Sequence, residues 1–286
     1  RDFCLSRGLG DVYKRQKLNF GLDFTGGSLI EIRLSEDIDS LEEIRKLLQS
    51  MNLNDFQVNY FGSNKDISIK VPGGETSIDD SLLIQNLEQY FDFDVRRQEF
   101  VGPQVGSELR DQGGLGLLAA LAVMMVYIMF RFQYKFALGA LLALIHDVLI
   151  VLGFFSFFSL DFDLSVLAAI LAVIGYSLND TIVVSDRVRE NFRKKRRSDS
   201  EIAINRSLSQ MIGRTLITSL TTLLVLIALL IFGGETISNF SIALIVGVIS
   251  GTYSSIYIVC NTLLSLKVTS EDLMIRKTEV LDDGMP

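Results

Sequence analysis

Two patterns of apolar and polar positions divide the chain near residue 110. Before it the two kinds interleave, and after it long apolar blocks are split by short charged loops. In the first part, LNFGLDFTGGSLIEIRL (18–34) reads as a strand broken by a glycine turn, then a second strand. In that second strand Ile30, Ile32 and Leu34 alternate with Leu29, Glu31 and Arg33. Asp39 or Ser40 can cap a helix running to about Met51, with Leu41, Ile44, Leu47 and Leu48 on one face. FQVNYFG and DISIKVPG read as a pair of strands. Asp79 or Ser81 opens a second helix with Leu82, Leu83, Leu87 and Tyr90 as its buried stripe, and DVRRQEFV is a last strand. The order β-α-β-β-α-β is the ferredoxin-like split.

The second part holds five apolar blocks, at 112–130, 136–160, 164–185, 215–233 and 240–266. Each is long enough to be a transmembrane helix, since roughly 20 residues at 1.5 Å rise cross the hydrocarbon core. The expected fold is a membrane α-helical bundle of five spans with a small α+β, ferredoxin-like domain outside it. The expected boundaries are a lead at 1–16, the α+β domain at 17–105, the bundle at 106–266 and a tail at 267–286. The lead RDFCLSRGLGDVYKRQ has no apolar core and no periodicity, so it is neither a signal peptide nor a span. It reads as a non-native or disordered segment standing where a first span is missing.

Charge sets the orientation. Arg131 and Lys135 lie in the first loop between blocks, and Arg187, Arg189, Arg193–Arg197 and Arg206 in the third. The loop around Asp161 and Asp163 has no base, nor does GGETISN at 233–239. Lys and Arg therefore alternate sides, and the positive-inside rule puts the first and third loops and the tail in the cytoplasm. The domain at 17–105 then lies on the periplasmic side. The net charge of −7 with one basic segment argues against nucleic acid as a partner. The run KKRR at 194–197 reads as an orientation signal near anionic membrane lipid. Cys4 and Cys260 are far apart and form neither a disulfide framework nor a metal site.

No phosphate-binding loop, metal-spaced cluster or nucleophile elbow is present, so the chain does not read as an enzyme and implies no cofactor. Polar groups inside the spans are costly and are therefore the candidates for function. Asp180 lies within the third block, and Tyr176, Asn179 and Asp180 are spaced to share a face at i, i+3 and i+4. Ionising a carboxyl in hydrocarbon is expensive, which makes Asp180 a candidate proton carrier. Arg214 opens the fourth block at the same end, at a depth suited to pair with Asp180, and Thr218 and Thr222 continue its face as a hydroxyl stripe. His146 and Asp147 lie in the middle of the second block, and His146 is the only histidine. Adjacent helical side chains diverge, so these two are not a dyad by themselves. Gly247 and Gly251 form a GxxxG, a helix-packing pattern.

Four stretches resemble the SecD/SecF family of bacterial protein-export membrane proteins, within the resistance-nodulation-division superfamily. They are GLDFTGG at 21–27, FVGPQVGSEL at 100–109, GYSLNDTIVVSDRVREN at 175–191 and RTLITSLTTL at 214–223. The likeness runs over about 17–266. It implies an auxiliary of the Sec translocase that couples the proton motive force to late-stage export of unfolded preproteins. It also implies association with SecD, separate or fused, with the SecYEG channel and with a YajC-type accessory subunit. Asp180 and Arg214 match the family's intramembrane acid and base implicated in proton passage. In this family GLDFTGG follows a first transmembrane helix, which fits the reading of 1–16. The alternative is a transporter of lipid or drug from the same superfamily, for which the domain at 17–105 is small. A membrane scaffold without ion traffic leaves the buried acids unexplained.

Overall fold

The computed structural model describes residues 18–38, 40–51, 53, 56–61, 63–72, 80–194 and 200–269. The lead at 1–16 with Cys4, the cap positions Asp39 and Asp79, the basic residues 195–197 and the tail beyond Thr269 lie outside the described residues. The chain forms two compact units. The first takes the residues up to Leu121 with Val151–Ala172 and Val225–Val246, the second Ala122–Ile150, Val173–Leu224 and the residues from Gly247.

In the first unit the elements run β1 (Asn19–Phe20), α1 (Leu22–Thr25), β2 (Gly27–Leu34), α2 (Glu42–Ser50), β3 (Gln57–Phe61), β4 (Ser63–Pro72), α3 (Asp80–Glu88) and β5 (Phe93–Val101). The sheet order is β3-β4-β2-β5 with antiparallel pairing throughout, the ferredoxin-like arrangement. Alternation decides the register: Ile30 faces Ile69 and Ile32 faces Ile67 across β2 and β4. These four side chains, with Leu34, Val58 and Val71, are buried against Ile44 and Leu48 of α2 and Leu83 and Leu87 of α3. Each such aliphatic burial contributes about 1.5–3 kcal/mol of transfer free energy. Ser40 accepts the Glu42 N–H at 3.2 Å at the start of α2. The α3 stripe is narrower than the sequence predicts. Leu83 and Leu87 are buried, whereas Leu82 and Tyr90 are exposed, because Leu82 precedes Leu83 by one step of about 100° around the helix.

The segment read as a strand broken by a glycine turn is a two-residue strand, the helical turn α1 and then β2. β1 pairs in parallel with β6 (Asp161–Phe162), in the loop that carries the two acids. This pair has a specific fastening. Asn19 Nδ2 donates to Asp161 Oδ1 at 2.5 Å, Lys70 pairs with Asp161, and Asn239 Nδ2 donates to the Asp161 carbonyl at 3.2 Å. Phe20, Phe24, Phe155 and Phe162 pack ring to ring beneath it. Gly26 has φ +71, which favours glycine, and a Cβ there would come within 2.7 Å of the Pro103 backbone. A Cβ on Gly106 would lie 2.7 Å from the Gly26 nitrogen. The glycine motif is thus a close backbone crossing against the start of the first span.

Among the described residues five helices are long and apolar enough to cross a membrane: α4 (Pro103–Arg131), α5 (Tyr134–Phe158), α6 (Leu164–Lys194), α7 (Ser200–Phe232) and a last span over Ile237–Ser265. The last span is α8 (Glu235–Tyr253), a π-helical segment (Ser254–Ile258) and α9 (Val259–Ser265). Asp163 caps α6 through Oδ1, which accepts the Val166 N–H at 2.9 Å, and Asp23 Oδ2 accepts the Leu164 N–H at 3.0 Å. Two acids thus satisfy N–H groups that a helix start leaves free. In the second unit Gly247 and Gly251 lie against Val173 and Ser177 of α6, the close helix contact that the GxxxG predicts. The third-loop bases are partly neutralised. Asp186 pairs with Arg131 at 2.6 Å and Arg189 at 3.2 Å, and Glu190 pairs with Arg187 at 2.5 Å and Lys194 at 2.6 Å.

Candidate functional site

The candidate residues lie in the second unit, on α5, α6, α7 and the last span. Asp180 sits on the inward face of α6 and is 7% exposed. Its Oδ2 is buried with no hydrogen-bond partner. An ionised carboxylate seeks up to four donors, so an empty acceptor in a buried acid is costly unless a proton or a moving group fills it. Arg214 is exposed on α7, and no ion pair joins it to Asp180 among the described residues.

Tyr176 and Asp180 are one turn apart on α6, but Asn179 is exposed and does not share their buried face. Consecutive positions are separated by about 100°, so packing admits Asp180 and turns Asn179 away. Tyr176 is half-buried, and its hydroxyl donates to Ser219 Oγ at 3.4 Å. Ser219 in turn shares a hydrogen bond of 2.6 Å with Thr252 Oγ1. The stripe below Arg214 closes on its own helix. Thr218 Oγ1 donates to the Arg214 carbonyl at 3.1 Å and Thr222 Oγ1 to the Thr218 carbonyl at 3.0 Å. These hydroxyls supply backbone hydrogen bonds, and the interhelical polar contact at this level of α7 is made by Ser219, while Ser207 and Gln210 accept from Asn191 of α6 nearer its start.

The second polar centre departs from expectation. His146 and Asp147 do meet: His146 Nδ1 lies 3.2 Å from Asp147 Oδ1. Divergence of adjacent Cβ atoms is overcome because the imidazole folds its near nitrogen back towards the carboxylate. Asp147 is fully buried, and three serines donate to it. Ser250 Oγ is 2.8 Å from Oδ1, while Ser177 and Ser254 are 2.5 Å and 2.8 Å from Oδ2. The donors come from α6 and the last span, so Asp147 ties three spans together. Hydrogen bonds to a charged group contribute about 1.5–3 kcal/mol each. The serines were not singled out in the sequence, although Gly247, Ser250, Gly251 and Ser254 form a stripe of small residues at helical spacing. Within an apolar block, two serines four apart beside a GxxxG are the signal that could have found them.

Residues 83–269 match the family described as protein export membrane protein SecD/SecF, C-terminal, and residues 16–38 match the SecD/SecF GG motif. The chain is 50% identical over 271 residues to the protein translocase subunit SecF of Pseudomonas aeruginosa, covering 94% of this chain and 88% of the relative. It is 43% identical over 267 residues to the same-named protein of Escherichia coli O157:H7, covering 91% and 82%. Its fold is similar to a crystal structure of SecDF, a translocon-associated membrane protein, from Thermus thermophilus, with a TM-score of 0.80 and 35% identity. That alignment covers 92% of this chain but 36% of the SecDF chain. The polar spans, the glycine crossing and the ferredoxin-like sheet thus occur in a chain that belongs to the SecD/SecF family of protein-export membrane proteins.

Proposed function

We propose that the chain is an auxiliary subunit of the Sec translocase that couples the proton motive force to late-stage export of preproteins across the bacterial inner membrane. Asp180 is its proton-carrying group and Arg214 the charge that biases it. The observation that carries this reading is the buried Asp180 oxygen left without a partner in a chain whose relatives are translocase subunits. A proton crossing 100 mV releases about 2.3 kcal/mol. That is roughly a fifty-fold bias on whatever conformational step it drives. SecD, as a separate chain or fused, is the partner, because the SecDF neighbour carries a chain nearly three times the aligned length. SecYEG, a YajC-type subunit and the unfolded preprotein complete the set. The α+β domain is periplasmic and the basic third loop cytoplasmic. The secondary polar residues Tyr176 and Thr218 hold neighbouring hydroxyls and carbonyls in place around this route.

The test is proton-motive-force-dependent translocation into vesicles depleted of SecD and its partner, resupplied with SecD and this chain. The expected result is rescue by the native chain. Asp180→Asn, at equal membrane level, is expected to give only the stimulation seen in vesicles without the chain. Equal rescue by the variant removes Asp180 from the coupling step.

A further inference from the structure

His146 and Asp147 differ from Asp180 in a way that assigns them separate work. Asp180 has an empty acceptor, whereas both Asp147 oxygens are filled: two serines on Oδ2, one serine and the imidazole on Oδ1. Hydroxyl donors enclose the Asp147 carboxyl, and among the described residues the imidazole is the ionisable group hydrogen-bonded to it. Because Asp147 Oδ1 accepts, Nδ1 carries the hydrogen, and Nε2 is left with its lone pair as a base. The His146 side chain is 30% exposed, while that of Asp147 is sealed at 0%. The imidazole is therefore the member of the pair that reaches out of the packed interior.

Ser254 adds a readout. Its single O–H lies 2.8 Å from Asp147 Oδ2 and 3.2 Å from the Gly251 carbonyl. It is also the first residue of the π-helical segment, a backbone irregularity found mostly at working sites. One hydrogen with two acceptors makes a choice that depends on the charge it faces. The titratable groups around the imidazole are Asp147 on its own helix and Tyr253 on the last span, whose ring centroid is 6.1 Å away. Tyr253 stacks on Tyr257 at 5.0 Å. From α6 and the last span the other facing groups are the uncharged hydroxyls of Ser177, Ser250 and Ser254.

We propose that His146 and Asp147 form a second hydrogen-ion binding site, in which Nε2 of His146 takes up the proton, Asp147 is the counter-charge and Ser254 passes the change to the π turn. Uptake converts imidazole to imidazolium with no other bond made or broken, and release returns the proton to the medium. Only the use of this site in export rests on the proton-coupled reading, since proton binding stands on the cluster itself.

The lone histidine makes the test direct. The full chain is labelled with nitrogen-15 histidine, placed in lipid bilayers and titrated by solid-state NMR, so that every imidazole signal is His146. The expected result is reversible conversion of imidazole to imidazolium over the pH range in which the chain stays folded. In Asp147→Asn the midpoint is expected to move. Ser254→Ala, which removes one donor only, is read for a smaller shift and serves if Asp147→Asn does not accumulate. An imidazole signal constant across that range, or a midpoint indifferent to both variants, overturns the site. In the translocation assay His146→Asn is expected to lower proton-driven stimulation about tenfold, and full stimulation overturns its use in export. An inert Asp180→Asn alongside a shifted His146 titration would sink the Asp180 reading and support this one.

Discussion

At the scale of the residue, packing decides which polar groups are free to act. Gly247 illustrates the steric side: a Cβ there would overlap the side chain of Val173, which is 1% exposed and β-branched. Gly247→Ala is expected to cost about 1–3 kcal/mol. Thermal unfolding in detergent should record the loss, and Val173→Ala should restore much of it in the double variant. The acids were legible because charge in an apolar block is conspicuous. Their surroundings were not. The three serines on Asp147 stand 30, 103 and 107 residues from it in sequence, and serine in a helix raises no alarm. The Asp180–Arg214 relation was legible only as shared depth. Whether two side chains at one depth pair depends on helix rotation, and among the described residues no ion pair joins these two.

At the scale of the element, the longest patterns were the most readable. Among the described residues five helices long and apolar enough to span match the five apolar blocks, and period-two alternation gave β2, whose Ile30, Ile32 and Leu34 are buried. The two-residue strands β1 and β6 carry no periodicity, since two residues cannot display one, and their pairing is set by the aromatic cluster and by Asp161. The caps of α6 were equally silent. Asp163→Ala removes the acceptor for the Val166 N–H and is expected to destabilise the chain by about 1 kcal/mol. Asp23→Ala should add its own loss. A shift of the unfolding midpoint in Asp163→Ala no greater than in an exposed control such as Asp111→Ala would show that the cap carries no stability. Gly26→Ala meets both a positive φ and the Pro103 backbone, so it should be more damaging than either capping change.

At the scale of the whole molecule, alternation of basic loops predicts the orientation. In a chain with Cys4 and Cys260 replaced by serine, Gln85→Cys on the exposed face of α3 should react with a membrane-impermeant maleimide from the periplasmic side. Glu201→Cys, at the start of α7, should react only after permeabilisation. The reverse pattern would invert the topology and with it the direction of any coupled proton flow. Composition divides the chain into an α+β part and a helical part, because a domain core and a membrane span bury different amounts of apolar sequence. The compact units follow another division, which composition does not display, since each gathers segments from several helices.

The β1–β6 pair has a temporal consequence. Sheet strands β2 to β5 lie within one continuous stretch and can pair as soon as Val101 has emerged. The pair that seats Asn19 beside Asp161 waits for the 60 further residues from Gly102 to Asp161. At about 5–20 residues per second of synthesis, that is roughly 3 to 12 s. During biogenesis the sheet therefore has time to close before its anchorage exists, and the hydrogen bond from Asn239 comes later still. Assembly of this chain is sequential, with a folded domain waiting for its mooring.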